Sequence, residues 1–192
     1  AMVTFQGQTF VERVASVLAT EVESTIVVAA PGQSLPPLGR ARIVRDRTPG
    51  AGPLAGIRDG LRAAQAGDLI ATTTPRLAVV ASCDVPLLSR DVVRLLIDSA
   101  AGSDSLWTVP LVHGHRQVLV SVMRVALLSR IEAWLATGRR DLRGLWHEMA
   151  LENPRSVCEV TEEACRAVDP TLASFVDIDT PSDLERLSTQ RF

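Results

Sequence analysis

The 192-residue chain is 46% hydrophobic and 22% charged, with a formal net charge of −2. That balance describes a folded globular protein rather than a disordered, fibrous or membrane-embedded one, and gives no general electrostatic drive toward nucleic acid. All 20 basic residues are arginine, so lysine Schiff-base chemistry is excluded, and any phosphate contact must come from arginine, backbone N–H groups or a metal.

Phe10, Val14, Val17 and Leu18 recur at helical spacing, and the apolar run Ile26-Val27-Val28-Ala29-Ala30, stopped by Pro31-Gly32, predicts a strand. A weak strand at 42–45 leads into a glycine-rich loop. Leu54, Ile57, Leu61 and Ala64 then predict a helix over 53–66, with Pro53 in the first turn where proline is favoured. The stretch 77–81 reads as the next strand. Ser89 is a candidate N-cap for a helix running to about Ala101. Strands are expected at 106–109 and 117–123, helices at 126–137 and 141–149, and a last strand at 174–178. Thr180-Pro181-Ser182-Asp183 has the cap, the proline and the acid of a helix start. Pro36-Pro37 and 71–75 are expected loops.

Strands alternating with helices imply one α/β domain over 1–192, its sheet mostly parallel and covered by helices on both faces. No apolar run approaches the ~20 residues of a membrane span, and the N-terminus lacks a signal-peptide pattern, so a cytoplasmic protein without membrane association is expected. Cys83, Cys158 and Cys165 are odd in number and lack CxxC spacing, which favours reduced thiols over a disulfide framework or a structural zinc site.

In open α/β sheets ligands bind at the carboxyl ends of the strands. Four features fall at such ends. Asp46-Arg47-Thr48-Pro49-Gly50-Ala51-Gly52-Pro53-Leu54-Ala55-Gly56 combines three glycines with a helix N-terminus, which suits an anion or an acceptor-rich base but also a plain tight turn. Asp84 ends an apolar strand and needs a partner: a hard divalent cation such as Mg²⁺, a turn before Pro86, or an arginine. Asp177 and Asp179 would share one face of the last strand, able to join Asp84 around a metal or to serve as caps. Gly138-Arg139-Arg140-Asp141-Leu142-Arg143 offers guanidinium groups to phosphate, or is simply a solvated helix start. His113-Gly114-His115-Arg116 reads as a polar turn, Cys83 as packing and the three tryptophans as core.

The segments 49–56 and Cys83-Asp84-Val85-Pro86, followed in order by 138–143 and by Phe175-Val176-Asp177-Ile178-Asp179-Thr180-Pro181-Ser182-Asp183-Leu184, resemble the molybdenum cofactor guanylyltransferase family. The resemblance implies a Rossmann-like three-layer nucleotidyltransferase fold that uses Mg²⁺ and GTP to attach GMP to the phosphate of molybdopterin, releasing pyrophosphate. It implies Asp84 as the catalytic metal ligand, assisted by Asp179. The nucleotide pocket would comprise Gly50, Gly52, Pro53, Leu54 and Gly56, with Asp46 at its edge. Arg139, Arg143 and Asp177 would contact phosphate or acceptor. Partners would be GTP and molybdopterin, with molybdoenzymes or their chaperones beyond them.

Two departures stand out. Asp177 and Asp179 replace the asparagines usual in the family; aspartates occupy these places in related cytidylyltransferases. The family's opening strand and its loop Leu-Ala-Gly-Gly-x-Ser-x-Arg-Met-Gly-x-x-Lys do not occur in this sequence. The expectation is an upstream segment supplying them, since removing a central strand bares ladder groups on two neighbours and leaves a void in the core. The alternatives are a cytidylyltransferase or other nucleotidyltransferase of the same fold, and a noncatalytic relative that binds a nucleotide or a partner.

Overall fold

The computed structural model describes residues 2–66 and 77–189; the loop expected at 71–75 lies outside them. A short hairpin of β1 (Thr4–Phe5) and β2 (Gln8–Thr9) leads into α1 (Phe10–Glu21). Thr9 caps that helix in a reciprocal pair with Glu12, a device that satisfies two free backbone donors. Next come β3 (Ile26–Ala29) and β4 (Arg42–Arg45), which pair in parallel, then α2 (Pro53–Ala66) and β5 (Leu77–Ala81). Helix α3 (Arg90–Ala101) starts at Ser89, whose hydroxyl accepts from the Val92 N–H.

Strand β6 (Trp107–Val112) turns tightly into β7 (His115–Arg116) through His113 and Gly114, both at positive φ as a two-residue hairpin requires. Strand β8 (Val120–Arg124) follows, then α4 (Leu128–Ala136), α5 (Leu142–Glu152), β9 (Val157–Val160), α6 (Glu162–Val168) and α7 (Pro181–Thr189).

The main sheet runs β5-β8-β6-β7, with β9 also on β6. Only the β6–β9 pairing in it is parallel; β5–β8, β6–β8 and β6–β7 are antiparallel. The expectation of a mostly parallel sheet is therefore corrected to a mixed one. Seven residues, 113–119, separate β6 from β8, too few for the helical crossover that parallel neighbours need. The strand expected at 174–178 is also absent. Residues Ala173–Phe175 form a single tight helical turn after Leu172, which adopts a left-handed backbone (φ 57°).

Helices do cover both faces. Along β5, Ala78 and Val80 pack toward α2, α4 and α5, with Trp107, Trp134 and Trp146 buried in that layer. Leu77, Val79 and Ala81 face the opposite layer, built on Val14 of α1 and Val92, Val93 and Leu96 of α3. Period-two alternation in one strand thus feeds two helix layers.

Strand β5 pairs only with β8 among the described residues, and β3 only with β4. Between the facing edges of β3 and β5 lies a cavity of about 460 Å³, walled by Val11, Val14 and Leu18 of α1 and by Gly56, Ile57 and Leu61 of α2. Every residue of β5 is consequently only half-buried, although all five are apolar.

Candidate active site

Asp84 stands on the turn that leaves β5. The turn is held at two points: the Ile178 N–H donates to the Asp84 carbonyl (2.9 Å), and two residues earlier the Ser82 N–H donates to Leu119 O (2.8 Å). Arg13 Nε holds the next carbonyl but one, Pro86 O, at 3.1 Å. The side chain contrasts with this. Asp84 Oδ1 is buried and has no hydrogen-bond partner, so neither the turn-cap nor the arginine-pair reading is met at that atom. A buried carboxylate oxygen left bare is costly, and a hard cation is the kind of partner that would satisfy it.

The glycine-rich loop leads into α2 at Pro53, and Pro53 and Gly56 line the same cavity as Ser82 and Cys83, the residues before Asp84. Gly50 and Gly52 sit at φ +79° and +85° with open space where a side chain would project, so glycine is required there by backbone conformation. Gly56 is helical and differs: it bares the helix surface toward the cavity. Asp46 closes a local turn, its Oδ1 accepting from the Thr48 N–H at 2.8 Å. The buried carboxylate of Asp59 accepts from the Arg47 N–H (2.8 Å) and from Arg58 Nε (2.9 Å), and Arg58 reaches the Thr48 hydroxyl (3.1 Å). Leu54 is fully buried and anchors the helix start.

Ile178 is buried while Asp177 and Asp179 on either side are exposed, so the two carboxylates do project away from the core without a strand to hold them. Partial burial and the nearby carboxylates of Asp84 and Asp179 push the Asp177 pKa above the usual range. Asp177 therefore feels both neighbouring carboxylates. Among the described residues, no group of three His, Cys, Asp or Glu side chains forms a ready metal cage.

The arginine segment divides. Arg139 stacks its guanidinium 3.6 Å over the Trp134 ring and pairs with Glu148 at 2.8 Å, so it is already engaged within α4 and α5. Arg140 and Arg143 are exposed. His113 lies in the hairpin turn and His115 opens β7, and the tryptophans are core, as their residue types suggest. Burial pushes the Cys165 thiol up to about 11, which removes it as a nucleophile.

Residues 1–153 match the family model described as a MobA-like NTP transferase domain. The chain belongs to the MobA-like NTP transferase family. It is 32% identical over 183 residues to the "Probable molybdenum cofactor guanylyltransferase" of Mycobacterium avium, an alignment covering 95% of this chain and 82% of that protein. Among solved structures, the molybdopterin-guanine dinucleotide biosynthesis protein A of Archaeoglobus fulgidus superposes with a TM-score of 0.74 at 22% identity, covering 96% of this chain and 86% of that one. The 2-C-methyl-D-erythritol 4-phosphate cytidylyltransferase of Thermus thermophilus superposes at 0.69 and 21% identity, covering 98% and 93%. The chain is thus a nucleotidyltransferase by family, on a fold shared across that class.

Within this MobA-like chain, a polar network that the sequence reading did not single out holds the region around Asp84. Ser174, fully buried, accepts from the Ser89 N–H at 3.0 Å, and its own N–H donates to Asp169 Oδ2 at 2.9 Å. Burial alone would raise the Asp169 pKa, but hydrogen bonds from Ser174, the Thr171 hydroxyl and the Ala173 N–H outweigh it and lower it. These bonds tie the turn before Asp177 to the loop after Asp84. A serine and an aspartate in irregular chain carry no periodic signature, so only their tertiary partners reveal them.

Proposed function

We propose that this protein transfers GMP from GTP to the terminal phosphate of molybdopterin and releases pyrophosphate. The observation that carries the reading is the bare, buried Asp84 Oδ1 on the turn after β5, in a chain of this family whose glycine-rich loop leads into a helix that lines the same cavity as β5. The relatives named for guanylyl transfer and the order of the sequence motifs support the choice of substrate pair.

In this reading the loop 46–56 takes the guanine nucleotide, with Gly50 and Gly52 allowing backbone approach and Gly56 leaving room along α2. Asp84 fits a divalent cation, Mg²⁺ in the expected case, because its unsatisfied oxygen is hard, anionic and desolvated. When bound, the cation supplies charge neutralisation on the triphosphate. Asp179 and Asp177 lie on the same side, and the raised pKa of Asp177 means that a cation there would stabilise its ionised form. Exposed Arg143 and Arg140 are available to phosphate, whereas Arg139 would first have to leave Trp134 and Glu148. The acceptor phosphate oxygen attacks the α-phosphorus in line with departing pyrophosphate, so no covalent enzyme intermediate forms.

The test is pyrophosphate release by the purified protein with GTP, molybdopterin and Mg²⁺. Asp84→Asn is expected to lower kcat at least about a hundredfold while the melting temperature holds or rises, because a bare buried charge is removed. Wild-type turnover by Asp84→Asn would sink the assignment. Preference for CTP would transfer it to cytidylyl chemistry, and nucleotide binding without turnover would leave a binding protein.

A further inference from the structure

We propose that the buried Arg58–Asp59 pair of α2 is a positioning device for the loop 46–52, and so sets nucleotide affinity from outside the binding cavity. The inference rests on the reading of that loop as the nucleotide's seat.

Asp59 occupies a place in α2 where an apolar residue would serve stability at least as well. Its side chain is 1% exposed and that of Arg58 13%. Burying such a pair is weak evidence for a stabilising role, since desolvation offsets the attraction between the charges. What matters is where the bonds go. One carboxylate oxygen accepts the Arg47 N–H at 2.8 Å; the other accepts Arg58 Nε at 2.9 Å and lies 2.8 Å from Nη2 in the ion pair. Arg58 in turn passes a hydrogen bond to the Thr48 hydroxyl at 3.1 Å. Apart from the charge pair itself, each bond ends on the loop.

Thr48 is the point at which these restraints meet. Its N–H donates to Asp46 Oδ1, its hydroxyl accepts from Arg58, and its carbonyl accepts the Ala51 N–H at 3.0 Å. The segment that follows, Pro49 to Gly52, contains two residues in the left-handed region with open space around them. The backbone there is therefore steered from Thr48 rather than by packing. Gly56, Ile57 and Gly60 of α2 line the cavity, but Arg58 and Asp59 do not. The pair acts on the loop from behind it.

The experiment compares wild type, Asp59→Asn and Thr48→Val. Asparagine keeps an acceptor for the Arg47 N–H but turns an NH₂ group or a neutral oxygen toward Arg58, releasing the guanidinium. Valine removes only the terminal bond and leaves the buried pair intact, so it is expected to fold normally. The expected result is a rise in KM for GTP of about tenfold for Asp59→Asn and about threefold for Thr48→Val, with kcat and the KM for molybdopterin within about twofold. Trypsin cleavage after the exposed Arg47, read by mass spectrometry, should quicken in Asp59→Asn.

Parallel loss of kcat and of both KM values together with a lower melting temperature would overturn the proposal in favour of a merely structural pair. So would unchanged KM for GTP in both variants. Failure of wild type to use GTP would remove the functional reading alone; the cleavage rate after Arg47 then decides the device, and equal rates in wild type and Asp59→Asn refute it.

Discussion

Replacing Gly56 by alanine separates the needs of the fold from those of the ligand. Gly56 is the fourth residue of α2 and has ordinary helical geometry. An added Cβ would meet Val28 Cγ1 at 3.9 Å, a normal van der Waals contact, so the protein has room for it. Glycine in a helix costs roughly 0.5–1 kcal/mol relative to alanine, and in a chain of this size each kcal/mol moves the melting temperature by roughly 2–4 °C. Gly56→Ala should therefore raise the melting temperature by roughly 1–4 °C in differential scanning fluorimetry. The same methyl group projects along the cavity wall proposed for the nucleotide, and KM for GTP should rise about fivefold or more. Gly52→Ala is the control of opposite sign. At φ +85° alanine pays about 1–2 kcal/mol, so stability and affinity should fall together. A more stable Gly56→Ala protein with unchanged KM would refute the placement of nucleotide against α2, and a less stable one would refute the argument from helix geometry.

Two further predictions concern the network behind Asp84. Ser174→Ala leaves the Ser89 N–H without its acceptor in a buried setting; a loss of about 1–3 kcal/mol in urea unfolding is expected, and none would show that water replaces the hydroxyl. Asp169 has a lowered folded-state pKa, so the stability it contributes is present above its unfolded pKa near 4 and disappears as pH falls through the folded value. Asp169→Asn should flatten the acid limb of the stability curve between about pH 4 and the folded pKa, and an unchanged limb would remove this group from the account.

Helix α2, strand β5 and helix α3 could be read directly, because apolar period, a proline in the first turn and a serine cap agree at each boundary. The mixed pairing of the sheet could not. It depends on β8 entering between β5 and β6, which is a property of the short 113–119 excursion rather than of apolar pattern. Strand β9 and helix α6 escaped notice for a related reason: Val157–Val160 is brief, and its register comes from β6 alone. The run 174–178 was expected to be a strand, yet one hydrogen bond from Ile178 to Asp84 is not a ladder. At the site, Asp84 and the glycine loop were visible as chemistry out of place in apolar surroundings. Asp59, Asp169 and Ser174 act through partners 5 to 85 residues away, information that no local window holds.

Among the described residues β5 is paired on one side only, and its other side carries a signature that deuterium would read. In a strand bonded on one side only, alternate amides face the neighbour and the rest face outward. The amides of β5 that point to β8 should exchange as slowly as the global unfolding reaction allows, and those turned toward the 460 Å³ cavity should exchange through far smaller openings. A five-residue stretch in the centre of the molecule would thus label in a slow-fast alternation, and any segment that pairs with that edge would erase the fast half.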